Sequence, residues 1–139
     1  MADRPIPARS EVPEESTWNL KDVFESDEAW QAEYEALKAV PEQLEAFRGR
    51  LGESAETLLA WFRLSDALSV RLEKLYGYAS CKGDEDTGNS VYQGMRAKAL
   101  ATLVAIDAAS AFETPEIMAL DEDTVNLFYA VQPALETYR

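Results

Sequence analysis

Asp84, Glu85 and Asp86 stand side by side between Gly83 and Gly88, and a cluster of carboxylates in a glycine-flanked loop is the type of pattern that binds calcium. The spacing argues against it. An EF-hand loop needs oxygen ligands at its first, third and fifth positions, glycine at the sixth and a bidentate acid at the twelfth. Counted from Asp84, Gly88 falls fifth and Met95 twelfth. The segment reads as a solvated turn. A zinc site fares worse, because the chain has no histidine and a single cysteine, Cys81, and carboxylates with one thiolate are a poor substitute for His and Cys sets. Cys81 reads as a plain thiol near a helix end, with only Lys82 nearby to stabilise a thiolate.

Other groupings yield no chemistry either. The pairs Glu14 with Glu15 and Asp121 with Asp123 could serve as acid and base only if burial shifted a pKa, and nothing around them is apolar enough to bury them. They read as helix caps and soluble surface. Gly49 and Gly52 lack the Gly-Lys-Ser/Thr of a phosphate loop, so they mark a connection between helices. Trp18, Trp30, Trp61 and Tyr76 could line a peptide groove, but at helical spacing they are expected in the core. Catalytic, cofactor-binding and metal residues are therefore all assigned as none.

With 26 acidic against 13 basic residues, the net charge of −13 repels phosphate backbones and anionic lipid surfaces. Nucleic acid and membranes are excluded as partners. No apolar run approaches the roughly 20 residues that cross a bilayer, and the charged, proline-containing start is unlike a signal peptide. These features, with a lone cysteine, point to the cytoplasm.

The elements follow from periodicity. Residues 1–16, with Pro5, Pro7 and Pro13, form an extended arm. Trp18, Leu20, Val23 and Phe24 pin a short helical turn onto a larger body. Ser26 or Asp27 caps a first helix bearing Trp30, Tyr34 and Leu37, which ends before Pro41. Pro41 opens a second, 42–48, with Leu44 and Phe47 on one side and Gly49 at its stop.

Ser54 caps a long helix read to about Ser80, with Leu58, Trp61, Phe62, Leu68, Leu72, Leu75 and Ala79 in one stripe and Leu64 and Val70 outside it. A polar turn over 81–89 leads to a second long helix capped at Asn89 or Ser90, rich in alanine and running to Phe112. Segment 54–112 is thus an antiparallel helical hairpin inside a lobe spanning 17–113. Thr114-Pro115-Glu116 restarts a helix, with Thr114 as cap and Pro115 at the first position, and 114–139 begins a further segment that is cut short in an apolar stretch. The fold class is all-α.

The ordered series Thr17-Trp18-Asn19-Leu20-Lys21-Asp22-Val23-Phe24, Trp30, Phe47-Arg48-Gly49-Arg50-Leu51, Tyr78-Ala79 with Asp86 beyond it, and Phe112-Glu113-Thr114-Pro115-Glu116-Ile117 resembles the N-terminal region of the oligoendopeptidase F family, zinc metallopeptidases related to thimet oligopeptidase. The resemblance spans nearly the whole chain. It implies a noncatalytic helical wall of a channel in a parent enzyme that hydrolyses oligopeptides, with zinc and its His-Glu-x-x-His helix outside this chain. Partners would be the catalytic remainder of the polypeptide and an oligopeptide substrate. The rival reading is a self-contained acidic module that binds a partner helix or forms a homodimer.

Overall fold

The computed structural model describes residues 6–139, so Pro5 and the start of the expected arm lie outside it. Among the described residues there are helices and no strands, as the periodicity predicts. Six α-helices follow one another: α1 (Asp27–Leu37), α2 (Val40–Glu45), α3 (Ala55–Glu85), α4 (Ser90–Ser110), α5 (Glu113–Met118) and α6 (Glu122–Val131). Short 3-10 turns occupy Arg9–Glu11, Glu14–Ser16, Leu20–Asp22 and Pro133–Tyr138. The arm is therefore less extended than its prolines suggest, since two of these turns interrupt it.

The hairpin is formed by α3 and α4. The 31 residues of α3 span about 46 Å at 1.5 Å each. Ser54 accepts from the Thr57 amide and Asn89 from the Val91 amide, so both long helices begin at the expected caps. Leu75, Ala79 and Ala99 are fully buried along the seam, and alanine there lets the two backbones approach closely. Across it lies α1, capped by Ser26, whose Trp30 is fully buried and donates its indole N–H to the Leu75 carbonyl at 2.7 Å. A second aromatic cluster closes the other end, with Trp61 packed 5.5 Å from Phe47 and 4.8 Å from Phe112.

Four local expectations need correction. First, α3 runs five residues beyond Ser80, to Glu85, so that the turn shrinks to residues 86–89. The cause is nonlocal: Arg96 of α4 donates to the Ser80 carbonyl and to Asp84, both at 2.6 Å, and offsets the unfavourable acids at the negative end of the helix dipole. Gly83 makes room for it, because a Cβ there would lie 3.0 Å from the Arg96 guanidinium. Second, Trp18 is 79% exposed rather than pinned; Leu20 and Phe24 make the packing contacts instead. Third, α2 begins at Val40, which is buried, and not after it, and ends at Glu45. Fourth, α5 starts at Glu113 with Phe112 at its cap position and no side-chain cap bond from Thr114. Pro115, expected at the first helical position, stands at the third, which is tolerated because the amides of the first turn lack helical partners anyway.

Gly49 closes the turn after α2 at φ +77°, and a Cβ there would touch nothing. The two carboxylate oxygens of Glu116 accept the amides of Gly49 and Leu51, fastening α5 to this turn. Gly49→Ala is thus expected to cost about 1 kcal/mol from left-handed backbone strain alone, and Gly49→Asn less. Glu116→Ala is expected to cost about 1 kcal/mol for the lost charge-assisted bonds, moderated by water reaching the exposed Gly49 amide. Urea-unfolding midpoints measure both.

Candidate functional site

Among the concave regions along the hairpin, two bear on function. One is a polar clasp where the arm meets the end of α3. Phe24 meets the Tyr78 ring edge-on at 5.4 Å, and the Tyr78 hydroxyl donates to Asp27 at 2.7 Å. Lys82 lies 3.6 Å from the same carboxylate and over the rings of Tyr78 and Tyr92. Arg9 reaches Glu85 at 3.3 Å, drawing the arm onto α3.

The clasp is built for cohesion, since each of these charges faces a partner. Burial, with the neighbouring Asp27 carboxylate adding to it, pushes the Tyr78 phenol well above its usual range. Cys81 is half-buried inside α3.

The second region is an apolar groove of about 500 Å³ between α3 and α4. Leu68, Leu72, Leu103 and Ile106 line it together with Ser65 and Ser69. Leu100 and Val104, one helical turn apart on α4, also line it and remain 53% and 62% exposed. Trp61 belongs to the same lining and is itself buried; its indole N–H finds no acceptor among the described residues.

The sequence-derived candidates fall as follows. Trp30 and Trp61 are core, as helical spacing implies, whereas Trp18 and Tyr76 are exposed. They do not assemble into one groove: Trp18 lies by the clasp, Trp61 by the apolar groove. Asp84 is held by Arg96 and Glu85 by Arg9, and Asp86 takes the C-cap position of α3. Among the described residues no three His, Cys, Asp or Glu side chains gather closely enough to hold a metal. A donor set with no imidazole, and with Asp84 and Glu85 paired to arginines, does not fit a catalytic zinc.

Glu14 and Glu15 are exposed, and Asp121 caps α6 by accepting the Thr124 amide at 2.7 Å, a bond that lowers its pKa. Gly49 and Gly52 belong to the helix connection, its amides taken by Glu116. The apolar groove was less legible. Leu64 and Val70, the residues that fall outside the main stripe of α3, do not line it, whereas Leu100 and Val104 on α4 do.

The raised Tyr78 pKa carries a signed consequence. Its stabilisation is fully present below the unfolded phenol's value of about 10, and is lost as pH rises from there through the folded value. Tyr78→Phe should cost about 1 kcal/mol at neutral pH, since Asp27 keeps Lys82. Above pH of about 10, stability of the native chain should fall more steeply than that of Tyr78→Phe, by up to about 1.4 kcal/mol per pH unit. Urea unfolding of both proteins across this range supplies the comparison.

The pieces that carried the family resemblance meet one another in space. Phe47 to Leu51 joins Phe112 to Ile117 through Glu116, and through Arg48 stacked 4.9 Å over Phe112. Thr17 to Phe24 joins Tyr78 through Phe24. No family model matches the chain. Oligopeptidase PepF of Bacillus subtilis (strain 168) is 40% identical over 133 residues, covering 96% of this chain and 20% of that protein. Group B oligopeptidase PepB of Streptococcus agalactiae is 36% identical over 130 residues, 94% of this chain and 22% of that protein.

A crystal structure of oligoendopeptidase-F from Enterococcus faecium superposes with a TM-score of 0.72 at 31% identity, over 82% of this chain and 22% of that one. The chain thus spans about a fifth of the length of the curated relatives it matches. Along nearly its whole length, this chain is similar to one segment of the oligoendopeptidase F proteins, as its ordered motifs indicated.

Proposed function

We propose that this chain is the noncatalytic N-terminal helical region of a cytoplasmic zinc-dependent oligopeptidase, forming one wall of the channel that admits short peptides. The observation that carries the reading is 40% identity over 96% of the chain to a protein named as an oligopeptidase, of which it spans only 20%. In such a peptidase, zinc supplies Lewis-acid polarisation of the scissile carbonyl and an activated water. That chemistry belongs to residues outside this chain. The reading divides the chain into an arm over 1–16, a lobe over 17–113 and the opening of the next segment over 114–139.

What these residues contribute is shape. A rigid hairpin about 46 Å long, braced by α1 and α2, suits a wall that excludes folded proteins by sterics and lets flexible oligopeptides pass. Its acidic surface keeps that wall soluble and adds no nucleophile.

A second reading, a self-contained acidic interaction or dimerisation module, is favoured by the exposed Leu100 and Val104 alone. Assay of the full polypeptide and of the 139-residue chain against short fluorogenic peptides separates the two. The expected outcome is chelator-sensitive cleavage by the full polypeptide, none by the isolated chain, and no digestion of a folded protein. Metal-dependent cleavage by the isolated chain, or an open reading frame without a His-Glu-x-x-His helix, would overturn the proposal.

A further inference from the structure

From the groove between α3 and α4 we infer a docking site for the remainder of the polypeptide: it receives an apolar helix from the portion equivalent to the four-fifths of the relatives that this chain does not span. The inference rests on the reading given under Proposed function and names the surface at which that reading joins the two parts. Scattered exposed leucines are ordinary on a protein surface, but these are contiguous. Leu100 and Val104 share a lining with Leu68, Leu72 and Leu103, and the charged residues there are only Asp107 and Glu113. In a chain with 39 charged side chains of 139, that depletion is the composition of an interface centre.

The groove also selects its occupant. A furrow between two antiparallel helices offers no row of free backbone donors and acceptors, so an extended peptide lying in it would leave its own amides unpaired. A helix satisfies its amides internally and packs its ridges into such a furrow, with Ser65 and Ser69 permitting close approach. A second copy of the chain is opposed by charge, because each copy brings −13.

The test is chemical protection. Val104→Cys and, separately, Met118→Cys are placed in a Cys81→Ser background, both in the isolated 139-residue chain and in the full polypeptide, and alkylation by N-ethylmaleimide is followed by peptide mass spectrometry. Met118 is 79% exposed on α5 and outside the groove, so it serves as the control. Circular dichroism confirms that each variant keeps its helical content, and Leu100→Cys replaces Val104→Cys if the latter unfolds.

The groove cysteine is expected to react at least tenfold more slowly in the full polypeptide than in the isolated chain, while position 118 shows no such change. Equal rates at position 104 in the two lengths would overturn the docking site and leave the peptidase reading standing. Protection in the isolated chain that grows with its concentration would overturn it in favour of a second copy. A full polypeptide that protects position 104 but cleaves no peptide would refute the proposed function and sustain the docking site.

Discussion

The seam between α3 and α4 is the contact on which the rest of the structure depends. Leu75, Ala79 and Ala99 are fully buried there, and each neighbouring element is positioned by reference to it. The Trp30 indole donates to the carbonyl of Leu75, a seam residue, so α1 is placed by the same turn of α3 that meets α4. Neither long helix would be stable alone in water at its length and polarity without such a face to bury. The bracing helices then contribute directionality through hydrogen bonds that a purely apolar contact lacks.

Local signals were legible because their physics is local. Ser26, Ser54, Asn89 and Asp121 each accept an amide two or three residues further on, which any reader of the chain can anticipate from side-chain type and the periodicity that follows. The end of α3 was not legible. Cys81 to Asn89 holds two glycines and three adjacent acids, every one of which argues for a turn, and it is partners from other elements, Arg96 from α4 and Arg9 from the arm, that accompany five more helical residues. Trp18 fails for the reverse reason: its apolarity promised burial, but Leu20 and Phe24 already occupy the available surface of the lobe. The groove lay between these cases, since the apolar spacing of Leu100 and Val104 is visible while the lack of a covering element is a property of the assembled fold.

The family resemblance was carried by residues that do no chemistry, and the contacts explain how that can be. Glu116 and the Gly49 to Leu51 turn are separated by 65 residues or more, yet one carboxylate accepts two amides of that turn, and Arg48 stacks on Phe112 beside it. Phe24 and Tyr78 meet in the same way across the clasp. Such pairs specify how the ends of helices are fastened, which demands particular residue types at particular spacings as strictly as a ligand set does. A motif series can therefore identify a scaffold whose own side chains offer neither imidazole nor free nucleophile.

The charge distribution completes the same argument. Excess acid at a helix C-terminus is unfavourable, and α3 ends in Asp84 and Glu85, but each is matched by an arginine drawn from another element, Arg96 from α4 and Arg9 from the arm. Several of the basic residues, outnumbered two to one, sit at joints: Arg48 at the aromatic cluster, Lys82 over two tyrosines beside Asp27, Arg71 on Glu33 between α3 and α1. The surface carries excess negative charge, and the groove between α3 and α4 is an apolar stretch within it. A body whose joints are fastened by ion pairs, with an apolar furrow between its two longest helices that carries only Asp107 and Glu113 as charges, is organised to hold a shape and to present it to a neighbour.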